Sequence, residues 1–154
     1  MNIEEIRKWS IDLMARSPAA YLTSVGPDGY PYTRAMLNLR NRKIYPNLAE
    51  VFSGHDEDFL IYFTKNTSSA KLDQILSNDK VSVYYCVPAR YHGLMLMGNI
   101  EIVDDPAVKK MLWTPGWERY YPKGFDDPDH MVMRVFPRSA RIWKGFKTEF
   151  PIGQ

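Results

Sequence analysis

The sequence holds a single cysteine, Cys86, so no intrachain disulfide can form and the disulfide-stapled secreted class is excluded. It has no apolar run near the roughly 20 residues that a membrane-spanning helix needs. The opening residues Met1–Lys8 are charged and lack a secretory apolar stretch, so a cytoplasmic location is expected. Charge of one sign is also missing. Twenty Lys and Arg against eighteen Asp and Glu leave +2, with no basic run of five, so neither nucleic acid nor an acidic membrane is an expected partner. Histidine is scarce: His55, His92 and His130 stand alone, with no His-x-x-x-His or Cys-x-x-Cys spacing, and no metal site is expected. No Gly-x-Ser-x-Gly elbow occurs, and Cys86 lies in an apolar strand-like run, where it reads as an inert buried thiol. Without internal repeats or a low-complexity linker, residues 1–154 read as one domain, long enough to bury a core.

What is present is aromatic: 14% Phe, Trp and Tyr, with ten tyrosines. That suits half-buried β surfaces and planar-ligand sites alike. The chain opens with a helix signature. Asn2 and Glu5 stand at capping-box spacing, and Ile3, Ile6, Trp9, Leu13 and Met14 recur on one side until Ser17-Pro18 ends the run. Two strand-like segments, Ala19–Val25 and Tyr30–Leu39, flank Gly26-Pro27-Asp28-Gly29. These four residues read as a hairpin turn rather than a phosphate cradle, because Pro27 offers no N–H and Asp28 repels an anion. Further strands are expected at Phe59–Thr64, Lys80–Val87, Gly93–Val103, His130–Phe136 and Arg141–Trp143. Short helices are expected over Ser68–Ser77 and Asp105–Leu112, and a loop over Trp113–Asp129. Gly98, inside a strand, predicts a bulge or a close backbone approach. Leu94 and Leu96 alternate with Met95 and Met97, so one face of that strand is expected in a core and the other against a partner. Six or seven strands broken by short helices predict a mainly β, α+β fold, an antiparallel barrel or sandwich.

Two places suit an anion. The segment from Phe63 to Leu72 runs from a strand end into a helix start, where unpaired N–H groups and the positive dipole end collect. Thr64, Asn66, Thr67, Ser68 and Ser69 add short donors. Lys71 in that first turn is unfavourable unless an anion lies between it and the helix end; plain Ser/Thr capping beside a solvated lysine is the other reading. Arg34 shares a strand face with Tyr30, Tyr32, Met36 and Asn38. It either faces solvent or grips an anion through its guanidinium fork, together with Lys71. Trp143, in Ile142-Trp143-Lys144-Gly145, suits a core, a subunit seam or a ligand wall. The acidic run Asp126-Asp127-Pro128-Asp129 reads as a turn leading into a strand.

These places and their order resemble the FMN-binding split-barrel family that includes the pyridoxamine 5′-phosphate oxidases, and within it the general-stress-protein-like flavoproteins, over residues 5–145. In that branch a hairpin like Tyr21–Val25 to Pro31–Met36 supplies an arginine to the flavin phosphate, and a Ser-Arg-Lys segment adds contacts. Here the segment reads Ser69-Ala70-Lys71, so Ser69 and Lys71 carry over and Ala70 replaces the arginine. Gly98–Pro106 resembles the family's glycine-plus-acidic strand and short helix. Tyr120–Gly124 with Asp126–Asp129 resembles the stress-protein loop. Arg141–Gly145 resembles the Phe-Trp-x-Gly segment whose tryptophan lies near the flavin.

The resemblance implies a six- to seven-stranded antiparallel split β-barrel, a homodimer with FMN at the interface, and a redox reaction with NAD(P)H or another small reductant. It implies that Arg34, Ser69 and Lys71 hold the phosphate. Ala35, Met36, Tyr62, Phe63, Thr64 and Lys65 lie on the strands that meet the flavin, and Trp143 and His92 wall the ring from the second subunit. The oxidases carry Arg-x-His after the tryptophan. This sequence has Phe146-Lys147-Thr148-Glu149-Phe150 there, so pyridoxamine phosphate is not the expected substrate. The deazaflavin F420 or haem on the same fold, or a non-enzymatic flavin or planar-ligand stress protein, are the alternatives.

Overall fold

A computed structural model describes residues 1–68 and 77–153. Helix α1, Ile3–Arg16, starts as its first residues dictate. The Glu5 N–H donates to the Asn2 side chain at 2.9 Å and the Asn2 N–H donates to the Glu5 carboxylate at 2.9 Å, closing a capping box.

Among the described residues, seven strands form one antiparallel sheet: β1 Ala19–Val25, β2 Pro31–Leu37, β3 Ile61–Asn66, β4 Lys80–Val87, β5 His92–Ile102, β6 His130–Trp143 and β7 Lys147–Pro151. Their order is β2-β1-β4-β5-β6-β3, with β7 also on β6. Strand β6 organises the sheet. Along one edge its first half pairs with β3, from Asn66↔His130 to Ile61↔Val135, and its second half with β7, from Ser139↔Pro151 to Trp143↔Lys147. Strand β5 runs along the other edge. Among the described residues two further α-helices, α2 Ala49–Phe52 and α3 Pro106–Leu112, give the α+β class, and the architecture is a split β-barrel. Asp105 caps α3 by accepting the Ala107 N–H at 2.9 Å.

The bulge expected at Gly98 is present. The β5–β6 register shifts between Met97 and Gly98, with Met97 opposite Ser139 and Gly98 opposite Pro137. A Cβ on Gly98 would lie 2.7 Å from the Phe136 carbonyl oxygen and 3.0 Å from Pro137 Cα, so the two backbones approach too closely for a side chain. The same bulge explains why His130–Trp143 is one strand rather than the two expected, since it accommodates Pro137, which has no N–H for the ladder. Strand β7 was not expected: only Phe150 of its five residues is buried, which is too little alternation to read. Residues 46–52 form a 3₁₀ turn and α2, pinned by buried Leu48 and Phe52. The helix expected over Ser68–Ser77 lies, apart from those end residues, outside the described residues.

Two clusters make the core. The barrel interior is filled by side chains such as Leu22, Phe63, Val83, Leu94, Leu96 and Met133, and α1 closes it with Ile6, Leu13 and Met14. The second cluster covers the opposite face of β3 and β6 with residues such as Leu39, Tyr45, Tyr62, Leu112, Trp117 and Val132. With both faces covered, four consecutive residues, His130 to Met133, are buried. Among the described residues no helix is long and apolar enough to cross a membrane.

Candidate functional site

The β1–β2 hairpin places Arg34. Its turn is fixed by the Gly29 N–H donating to the Gly26 carbonyl at 2.9 Å and the Gly26 N–H to the Tyr30 carbonyl at 2.9 Å. Gly29 has φ +82°, a conformation that L side chains resist. From there alternation puts Tyr32, Arg34 and Met36 on the half-buried face of β2, and Thr33, Ala35 and Leu37 on the exposed face. Arg34 Nη1 donates to Ser24 Oγ at 2.8 Å and to the Tyr32 carbonyl at 2.8 Å. Nη2 is buried and has no acceptor. No carboxylate pairs with Arg34 among the described residues. Burial holds its pKa below the ordinary value, although a guanidinium remains charged. A charged donor left without an acceptor is unfavourable, and an anion would relieve it.

One residue further along β2 a groove of about 500 Å³ opens. Ala35 and Met36 from β2 and Thr64 and Lys65 from β3 line it together, with Ala19 and Tyr45. Its base is tied by two asparagines. Asn38 Nδ2 donates to the Met14 and Ser17 carbonyls at 2.7 and 2.8 Å, and Asn41 Nδ2 to the Ser17 carbonyl at 3.0 Å. These bonds lock the α1–β1 joint against the chain leaving β2. Burial, with Tyr120 nearby, raises the Tyr45 pKa, so its hydroxyl stays protonated.

Beyond Lys65 three of the residues expected to face an anion, Asn66, Thr67 and Ser68, already donate within the protein. Asn66 Nδ2 donates to Asp129 Oδ2 at 2.7 Å, and Thr67 Oγ1 and the Ser68 N–H donate to Asp129 Oδ1 at 2.9 and 3.1 Å. The Thr67 N–H donates to the Asp129 carbonyl at 3.0 Å. These bonds hold the Asp129 carboxyl below the usual carboxylate range, Thr67 contributing most. The sequence presents Asp129 only as a turn residue; nothing local signals a clamp across 62 positions.

A family profile described as "Pyridoxamine 5'-phosphate oxidase like" matches residues 34–152, well over half of the chain. The chain belongs to this family. Members usually bind flavin. A crystal structure of a protein related to general stress protein 26 of Bacillus subtilis (pyridoxinephosphate oxidase family), from Clostridium acetobutylicum, superposes with TM-score 0.79 at 29% identity, covering 98% of this chain and 97% of that one. General stress protein 26 from Bacillus anthracis gives TM-score 0.70 at 16% identity over 95% and 99% of the chains. A NimC/NimA family protein from Clostridium acetobutylicum gives 0.69 at 17% over 95% and 93%. The last two likenesses speak to the fold alone. No curated protein matches the sequence.

In this pyridoxamine 5′-phosphate oxidase-like chain the remaining expected site residues are dispersed. Phe63 is in the barrel core and Tyr62 in the second cluster, its ring 6.1 Å from Phe52, so their side chains pack away from the groove. Trp143 lies on the outer sheet face, edge-on to Tyr84 at 6.2 Å. His92 begins β5 and packs edge-on against Trp9 of α1 at 5.6 Å. Neither lines the groove. Ser69 and Lys71 lie outside the described residues.

Proposed function

We propose that this chain is an FMN-binding oxidoreductase that works as a two-fold dimer, the flavin lying in the β2–β3 groove at the subunit interface. One observation carries the reading: Arg34, whose Nη2 is buried without an acceptor and which has no internal carboxylate, stands on β2 next to the residues that line a groove of cofactor size. Family membership supports it. Arg34 supplies a fixed positive charge and a free N–H for the phosphate, joined by Ser69 and Lys71. Ala35, Met36, Thr64 and Lys65 line the cleft that takes the ring, and Tyr62 and Phe63 contribute backbone groups toward the ring's polar edge. Trp143 and His92 come from the second subunit. Bound FMN supplies the hydride and electron chemistry, with NAD(P)H or another small molecule as reductant; the protein binds and orients it. The outer sheet face supports the dimer. There Met97 stands between Ser82 and Ser139, beside a groove of about 470 Å³ that also takes in Thr23 and Asn99. Pyridoxamine phosphate is not the proposed substrate, since residues 144–154 contain no Arg-x-His and β7 occupies this stretch.

The test is the absorption spectrum of the purified protein, of the chromophore it releases on heating, and of the holoprotein with NADH without oxygen. The reading expects FMN and its bleaching. A deazaflavin or haem spectrum overturns the cofactor. FMN that no nicotinamide or other small reductant bleaches overturns the oxidoreductase in favour of a flavin-storing protein.

A further inference from the structure

We infer that a second cavity, on the α1 side of the chain leaving β2, binds a free amino acid with an apolar side chain, its carboxylate held by Arg40 and Arg42 and its ammonium by Asp56. The observation behind it is a buried charge without a counter-ion. Arg40 is 8% exposed, and its guanidinium carbon stands 4.8 Å from the centre of the Phe52 ring. Nε donates to the Leu60 carbonyl at 2.9 Å and Nη2 to the His55 carbonyl at 3.0 Å, whereas Nη1 has no acceptor among the described residues. No carboxylate lies within ion-pair distance of Arg40 among the described residues. Asp58 is already taken: it pairs with His55 Nδ1 at 2.9 Å and accepts the Leu60 N–H at 3.1 Å. Burial lowers the Arg40 pKa; Tyr85, Asp56 and Asp58 oppose this, Arg42 adds to it, and the guanidinium remains charged. Two neutral carbonyls do not neutralise a desolvated cation, so an anion on Nη1 would relieve it.

The cavity has room for one. It measures about 290 Å³, and Arg40 forms part of its wall with Arg42, Asp56, Phe52 and two residues of α1, Ile11 and Ala15. The Arg42 N–H donates to the Ala15 carbonyl at 3.3 Å, which sets this residue against α1, and its guanidinium makes no ion pair among the described residues. Two arginines can share one carboxylate, here one desolvated and fixed, the other solvated. Asp56 repels a bare carboxylate from the same wall but matches an ammonium, so the charge pattern selects a zwitterion over a simple acid. Phe52, Ile11 and Ala15 keep the remaining wall apolar, and a volume of this order holds an amino acid rather than a nucleotide-sized ligand. None of these residues lines the β2–β3 groove, so the site stands independently of the flavin reading.

L-Leucine is the probe, titrated calorimetrically into the full chain as purified. Beside it stand 4-methylpentanoate, which lacks the ammonium, and 3-methylbutylamine, which lacks the carboxylate. Leucine is expected to bind once per protomer, at least about tenfold more tightly than either fragment. Arg42→Gln should weaken leucine about fivefold, and Arg40→Lys, which keeps the charge but loses the fork, about tenfold. Asp56→Asn should move two ligands in opposite directions: leucine weakens about fivefold while 4-methylpentanoate tightens. No leucine binding at about 10 mM, or a fragment that binds as tightly as leucine, overturns the inference. So does leucine binding that neither Arg42→Gln nor Asp56→Asn changes. Thermal unfolding accompanies each variant. Should Arg40→Lys not fold, the opposite responses of the two ligands to Asp56→Asn decide alone, since a loss of structure would weaken both.

Discussion

Acidification from pH 7 to pH 5 is expected to destabilise this protein through one residue, His130. Its side chain is fully buried, with the rings of Trp113, Trp117 and Tyr121 centred 5.6, 6.2 and 4.7 Å away. Nδ1 lies 2.8 Å from the Phe125 carbonyl oxygen, so it carries the proton and donates; Nε2 is buried without a partner. A second proton would have to sit on Nε2. Desolvation therefore holds the pKa of His130 below its ordinary value; the Phe125 hydrogen bond opposes this, Lys109 adds to it and Asp127 opposes it. The sign follows. Between the folded and unfolded pKa values the unfolded chain binds the extra proton, so stability is complete above an unfolded pKa of about 6.5 and is lost as pH falls below it. A single proton gives a slope of at most about 1.4 kcal/mol per pH unit, and about 2 kcal/mol in total by pH 5 if His130 stays neutral throughout. Asp127 and Asp129 do not overlap this window, because hydrogen bonds hold both carboxyls below the usual range and the stability they add is lost only at lower pH. Urea unfolding of wild type and His130→Asn at pH 7, 6 and 5 separates the effect. The variant puts an amide N–H near the Phe125 carbonyl and cannot titrate. It should be less stable at pH 7 but nearly flat to pH 5. Equal losses in the two proteins would refute the assignment.

Three other outcomes follow from the geometry. Arg34→Ala should weaken FMN about ten- to a hundredfold while leaving riboflavin nearly unchanged, the worth of about 1.5–3 kcal/mol for charge-assisted contacts, read by fluorescence titration; equal losses would remove Arg34 from the phosphate. Gly98→Ala forces a methyl to 2.7 Å from the Phe136 carbonyl oxygen and should cost about 1–3 kcal/mol in chemical denaturation, whereas a neutral result would mean that the bulge yields freely. Met97→Asp places a charge on the proposed dimer face and should both dissociate the protein and release flavin, checked by sedimentation with absorbance; a dissociated protein that keeps its flavin would contradict a shared site.

What was legible in the sequence obeyed local rules. The capping box needs only Asn2 and Glu5, the hairpin turn only Gly26–Gly29, and the β5–β6 bulge announces itself through a glycine in an apolar strand. The meeting of Ala35 and Met36 with Thr64 and Lys65 was approached through the family resemblance, and the curl of the sheet realises it. The rest depends on distant partners. Strand β7 owes its place to the β6 edge rather than to its own pattern. His130 looked like an isolated histidine because its aromatic cage comes from residues 9–17 positions earlier in a segment read as loop. Thr67 and Ser68 look free to bind an anion in the sequence because the carboxylate that engages them, Asp129, arrives from the turn just before β6.

The most direct test of the central claim is calorimetric titration of the flavin-free protein with FMN and, separately, with riboflavin. One FMN per protomer is expected, bound at least about tenfold more tightly than riboflavin, because only FMN brings an anion to the unpartnered N–H of Arg34. Equal affinity for the two, or no binding of either, would contradict it.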